Sequence, residues 1–142
     1  MRTKNDKINT EYTSQLLEKI LGCLYCVCVG DALGSRYEFM ENDAAELQIN
    51  KDIFNNKLLM LGGGPFNLQP GQITDDSEMT LCLLNSISFI GYYDQEHVGK
   101  TYIAWFNTNP VDMGKTISKS LFTRKRSLNY IDMIKNNLAN KF

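Results

Sequence analysis

Thr74, Asp75, Asp76 and Ser77 lie between a glycine-rich loop and an apolar run, so two adjacent carboxylates fall at a helix start. Neighbouring like charges repel, and an N-cap needs only one oxygen, so a bound cation explains two acids better than capping alone. A hard cation such as Mg²⁺ or Mn²⁺ prefers carboxylate, hydroxyl and water oxygens, and Thr74, Asp75 and Asp76 supply three in succession without histidine or cysteine. The plainer alternative is an ordinary helix N-terminus, in which one aspartate caps and the other favours the dipole.

Three other segments bear on that choice. In Gly30-Asp31-Ala32-Leu33-Gly34-Ser35-Arg36-Tyr37-Glu38 a first helix ends at a glycine. Asp31 reads as a helix-end cap or a loop organiser. Glu38 reads as a carboxylate able to fold back toward Asp75 and Asp76, or as a solvated acid. In Pro110-Val111-Asp112-Met113-Gly114-Lys115-Thr116, Asp112 reads locally as the N-cap of a turn. From Gly114 to Ile131 there are five basic residues and no acid: Lys115, Lys119, Arg124, Lys125 and Arg126 form either a steering field for a phosphate-bearing ligand or a solvated face. His97, the sole histidine, is expected at the surface with no catalytic part.

The elements that must hold these residues are helical. Residues 1–12 read as a flexible N-terminal segment and 13–142 as one domain. Thr13 or Ser14 can cap a helix carrying Leu16, Leu17, Ile20, Leu21, Leu24 and Cys28, and Gly22, Cys23, Cys26 and Gly30 keep one side of it slim. The segment 31–71 reads as irregular, with a short helix around 43–49 and turns at Gly62-Gly63-Gly64-Pro65 and Pro70-Gly71. A second long helix is expected from Asp76 to Ile90, with Met79, Leu83, Leu84, Ile87 and Ile90 inward. A third runs from Asp94 to Phe106, burying Val98, Tyr102, Ile103 and Trp105 or Phe106. A fourth begins near Asp112 with Met113, Ile117 and Leu121 as its stripe and Phe122 at its edge. The last starts near Asn129 with Ile131, Ile134 and Leu138. No segment alternates like a strand, so the fold class is all-α.

The chain has 142 residues, 43% of them hydrophobic, enough for one ordinary core. A net charge of −1 excludes a global field that would draw it to nucleic acid or anionic membrane. The apolar stretch from Ile20 to Val29 is too short to span a bilayer and lies too far in for a secretory leader, which gives a cytoplasmic expectation and a buried helix. Cysteines 23, 26, 28 and 82 are expected to be reduced and packed. Cys23-Leu24-Tyr25-Cys26 matches a redox spacing, but no strand precedes it.

Four blocks in order carry a resemblance: Gly22 through Glu38, Gly62 through Phe66, Pro70 through Met79, and Trp105 through Thr116. Together they resemble the amino-terminal portion of the ADP-ribosylglycohydrolases, the group that includes the dinitrogenase reductase-activating enzyme. The resemblance implies an all-α helical bundle with a binuclear Mg²⁺ or Mn²⁺ centre. Thr74, Asp75 and Asp76 match its metal ligands, Glu38 its glutamate beside the metals, and Gly114, Lys115 and Thr116 the loop facing the pyrophosphate of ADP-ribose. Ser77 stands where a threonine is common. The implied reaction is hydrolysis of the bond between ADP-ribose and a modified protein side chain, with Glu38, Asp75 and Asp76 as the catalytic set.

The family's later Asp-x-Asp-Thr segment has no counterpart in the chain, so the domain reads as truncated. That opens a second expectation, a non-catalytic ADP-ribose-binding or helical interaction protein. It also implies that faces suited to burial stand exposed, with an oligomer or a complementing chain to cover them.

Overall fold

Runs of residues with good helix propensity, broken by glycine, proline and asparagine turns, give a fold that is helical nearly throughout. The computed structural model describes residues 4–122 and 130–139. Its elements are α1 Lys4–Gly34, α2 Asn42–Asp52, β1 Ile53–Phe54, β2 Lys57–Leu58, α3 Asp75–Ile90, α4 Gln95–Phe106, α5 Lys115–Leu121 and α6 Tyr130–Ala139. The all-α reading therefore holds, with one two-stranded hairpin added.

Helix α1 starts at Lys4 rather than at a cap near Thr13 or Ser14. It also runs through Gly30, which does not adopt the left-handed conformation of a terminating glycine. Asp31 consequently sits in the last helical turn, and a short 3-10 turn at Ser35–Tyr37 follows. The expected burial of this helix is corrected: Leu17 is 54% exposed, Ile20 46% and Tyr25 68%. Cys23 and Cys26 are exposed too, and Cys28 is half-buried. The physical reason is that α1 packs on α3 and on the 3-10 turn that follows it, and little else among the described elements meets it.

The core lies where α3 packs along α4 and where α4 meets α5 and α6. Ile103, Trp105 and Leu121 are its buried centre, surrounded by Met79, Cys82, Tyr102, Phe106, Met113, Ile117 and Ile134. Trp105 takes the inward place ahead of Phe106 and donates from Nε1 to Glu78 Oε2 at 2.6 Å, so the indole nitrogen stays satisfied. Phe122, at the edge of the α5 stripe, is exposed. Gly91 closes α3 with φ 88°, and Asp94 caps α4 by accepting the His97 N–H at 2.7 Å. His97 is less superficial than its charged neighbours suggest. Its Nδ1 lies 2.7 Å from Ser86 Oγ and its ring stacks on Phe89 with centroids 5.6 Å apart, so it serves the α3–α4 packing. Arg124, Lys125 and Arg126 lie outside the described residues.

The segment expected to be irregular is more ordered than its composition suggests. Asn55 and Asn56 take φ 50° and 59°, which turns the hairpin pairing Ile53 with Leu58. Asp52, 6% exposed, accepts from Arg36 Nε at 2.6 Å, Tyr37 Oη at 3.0 Å and Gln48 Nε2 at 3.0 Å. Arg36 also donates to the Gly62 carbonyl at 2.5 Å, tying the 3-10 turn to the glycine loop. That loop approaches so closely that a Cβ on Gly64 would stand 2.7 Å from the Ser35 carbonyl oxygen. Among the described residues, no helix is long and apolar enough to cross a membrane.

Because Asp52 accepts from three side chains at once, Asp52→Ala leaves Arg36 without its carboxylate. We expect a loss of about 2–3 kcal/mol of unfolding free energy, read from urea denaturation of the variant against the wild type.

Candidate functional site

The first three turn amides of α3 need acceptors, and one comes from a different helix. Thr74 occupies the N-cap position, but its side chain makes no capping bond. Asp31 does this from α1: Oδ2 accepts the N–H of Thr74 at 2.8 Å and of Ser77 at 3.2 Å, while Oδ1 accepts the Thr74 hydroxyl at 2.6 Å. Thr74 is 5% exposed and Ser77 fully buried. Burial pushes the Asp31 carboxyl upward, but the hydrogen bonds from Ser77 and Thr74 outweigh it and hold the group below the usual aspartate range. Of the two readings of Asp31, a helix-end cap is the one that matches, but the helix it caps is α3 and not its own.

This arrangement bears on the capping account of the acid pair. With Asp31 capping, neither Asp75 nor Asp76 is needed for that task. Asp75 instead turns toward the α5 side, where Oδ2 accepts the Gly114 N–H at 3.3 Å, and Asp76 is exposed. Both border a cavity of about 450 Å³ that also meets Gly30, Gly34, Tyr37 and Glu38. A second cavity of about 840 Å³ shares Glu38, Asp75, Asp76 and Asp112 and continues past Phe39 and Phe66 to Gly114, Lys115 and Thr116. The acids thus form a wall common to two spaces, and Glu38, Thr74, Asp75, Asp76, Gly114, Lys115 and Thr116 each border at least one of them.

Glu38 does fold back as expected. Its carboxyl is pushed above the usual glutamate range, first by burial, then by the charge and hydrogen bond of Asp112 and by the charges of Asp75 and Asp76. Asp112 is pushed up by burial and by Asp75, against the lowering effect of its bonds with Glu38 and the Met113 N–H. Two carboxyl groups in contact hold one proton more tightly than either would alone. The N-cap reading of Asp112 is corrected: α5 begins at Lys115 with Gly114 in the cap position, and Asp112, 9% exposed, faces the site. Sequence reasoning missed Asp112 as a site acid because it lies 36 positions beyond Asp76 on a loop with no periodicity to aim it.

Among the described residues, no three carboxylate, histidine or cysteine side chains stand as a ready-made metal cluster. The donor type nevertheless fits a hard cation, since every polar side chain shared by the two cavities is a carboxylate. Thr74 fits as well, because its hydroxyl proton is committed to Asp31 and its lone pairs remain. Mg²⁺ typically keeps several waters and uses few protein ligands, which this open arrangement allows.

Comparison with known proteins matches residues 12–139 to the ADP-ribosylglycohydrolase family model. A protein of Acanthamoeba polyphaga mimivirus that bears the family's name is 43% identical over 118 residues, covering 82% of this chain and 32% of that protein. The ADP-ribosyl-(dinitrogen reductase) glycohydrolase of Rhodospirillum rubrum is 36% identical, covering 73% of this chain and 34% of that one. The ADP-ribosylarginine hydrolase of Serratia proteamaculans is 35% identical, covering 76% and 29%. The chain spans about a third of the length of these relatives.

Asp31→Asn keeps the shape but offers one acceptor oxygen to three donors, and we expect it to lower stability by about 1.5–3 kcal/mol at pH 7. The Asp31 pKa is depressed by folding, so its contribution is present above the unfolded aspartate value and is lost as pH falls through the folded one. Urea titrations of both proteins from pH 7 to pH 3 should therefore converge at the acid end.

Proposed function

The chain belongs to the ADP-ribosylglycohydrolase family, and on that premise we propose that it acts in metal-dependent hydrolysis of the bond joining ADP-ribose to a modified protein side chain. The observation that carries this reading is the wall of four carboxylates, Glu38, Asp75, Asp76 and Asp112, shared by two cavities. In the proposed arrangement Thr74, Asp75 and Asp76 hold Mg²⁺ or Mn²⁺. When bound, the cation supplies orientation of ribose hydroxyls and a lowered pKa for a nearby water.

The residues of the chain have separable parts in this scheme. Water adds to the anomeric carbon as the bond to the side chain breaks, through an oxocarbenium-like transition state. Glu38 takes the proton from that water and passes it to the departing side chain, and burial with the neighbouring acids, which push its carboxyl upward, strengthens it as the base. Asp112 sustains that elevation by its contact with Glu38. Gly114, Lys115 and Thr116, on the larger cavity, face the phosphate-bearing part of the substrate, with Lys115 supplying positive charge there.

A second reading is favoured by the lack of a preassembled cluster among the described residues: the chain binds ADP-ribose or an ADP-ribosylated protein without turnover. Release of ADP-ribose from a modified protein, followed by chromatography with Mg²⁺ or Mn²⁺ present, separates the two. We expect turnover that falls at least about 100-fold in the double variant Asp75→Asn, Asp76→Asn. Turnover unchanged in that variant would remove the metal role, and calorimetric binding without any turnover would establish the second reading.

The acid pair makes a further expectation for the metal-free chain. Glu38 and Asp112 have carboxyl pKa values raised by folding, so what they contribute to stability is present below the unfolded carboxylate range and is lost as pH rises through the folded values. In chelator-containing buffer, the melting temperature of Asp112→Asn relative to wild type should therefore increase from pH 4 to pH 8. Added Mg²⁺ should raise the wild-type melting temperature more at pH 8 than at pH 5, because ligand carboxyls must be ionised to bind it.

A further inference from the structure

Helix α1 is longer than the helix it packs on. Its 31 residues extend about 46 Å, while the 16 of α3 extend about 24 Å. Asp31 ties the C-terminal end of α1 to the start of α3. Leu17, Ile20, Leu21, Leu24 and Cys28 recur at helical spacing on the same side of α1 as Asp31. One apolar stripe therefore runs from the packed end of α1 back into its overhang. Leu24 and Cys28 are half-buried. Leu17, Ile20 and Leu21, further back, are exposed, and so is Leu16 at the edge of the stripe. Cover thus stops partway along a single face.

The whole chain shows the same deficit. It exposes 10759 Å², where a compact folded chain of 16.2 kDa exposes about 7,500 Å². If each of two copies covered half of the difference, they would bury about 3,300 Å² together, inside the range of about 2,000–5,000 Å² typical of permanent homodimers. A two-fold interface must also match itself in reverse. The overhang does: turned end for end about its middle, Leu17 and Ile20 exchange places, and so do Thr13 and Leu24. Glu18 and Lys19 lie on the far side of the helix from Leu17 and Ile20, so that pairing buries no charge. Adjacent charges of opposite sign, in a chain of net charge −1, neither repel a second copy nor select a strongly charged partner.

We propose that the overhang of α1 is covered by a second copy of this chain, the two helices packing antiparallel about a two-fold axis with Leu17 of one copy against Ile20 of the other. Leu16 and Leu21 flank that contact and exclude water from it. Asp31 lies eleven residues beyond Ile20, about 16 Å along the helix, so the contact stands clear of the cap that Asp31 makes on α3. The pairing lengthens the packed part of α1 and leaves that cap intact in each copy.

The test is the molar mass of the full chain in solution, by sedimentation equilibrium and by light scattering during gel filtration. We expect the wild type at twice 16.2 kDa at micromolar concentration. Ile20→Glu changes a side chain that is exposed within one copy, so the fold is retained and helical circular dichroism is unchanged. It should raise the dimer dissociation constant at least about 100-fold. Leu17→Gln, a milder change on the same stripe, should raise it about tenfold. Tyr25→Glu alters a more exposed residue on the opposite side of α1 and should leave the dimer intact. A monomeric wild type, a dimer that tolerates both Ile20→Glu and Leu17→Gln, equal disruption by Tyr25→Glu, or growth into open-ended aggregates would overturn the proposal. None of these readings involves ADP-ribose, so the outcome stands apart from the hydrolase reading.

Discussion

The site depends on one carboxylate outside the acid pair, on the wall of the smaller cavity. Asp31, in the last turn of α1, accepts two amides and a hydroxyl from the first turn of α3. A negative charge at a helix N-terminus is favourable in itself, and here it also joins two helices that are 43 residues apart in sequence. Capping from outside is what releases Asp75 and Asp76 from local duty. Were Thr74 to cap its own helix, its hydroxyl would turn back toward the Ser77 amide and away from the acids. The same bond fixes the end of α1, from which the 3-10 turn and Glu38 depart.

Much of this was legible in the sequence, for identifiable reasons. Helical spacing placed Ile103, Leu121 and the stripes of α5 and α6, because a residue repeated each turn must meet the same neighbour. The acid pair drew attention because two adjacent charges lack a cheap structural explanation. Gly30 misled, since a glycine can end a helix only by adopting positive φ, and nothing in the local residues says whether it will. The Asp52 clamp and the inward aim of Asp112 were invisible because both arise from contacts between loops. Loops have no period, and their partners are chosen by the packing of the elements around them.

The first helix shows the limit of pattern reading from the opposite side. Its apolar residues led to an expectation of burial, yet Leu17, Ile20, Leu21 and Tyr25 face outward. Hydrophobic spacing states that a face favours cover, while cover itself is a property of what lies alongside. Among the described elements that is α3 and the 3-10 turn, which meet the helix near its C-terminal end, where Asp31 is. The part of α1 that supports the site is therefore the part that is packed.

The position of Glu38 follows from the same economy of constraints. It occupies the single residue between a clamped turn and a strained one, with Tyr37 held by Asp52 on one side and Phe39 held at positive φ on the other. Burial first, and then Asp112, Asp75 and Asp76, push the Glu38 carboxyl above the usual glutamate range. A freely rotating glutamate would turn to solvent and titrate like any other. The anchoring of the 3-10 turn to Asp52 and to the glycine loop thus fixes the backbone from which Glu38 departs toward the other acids.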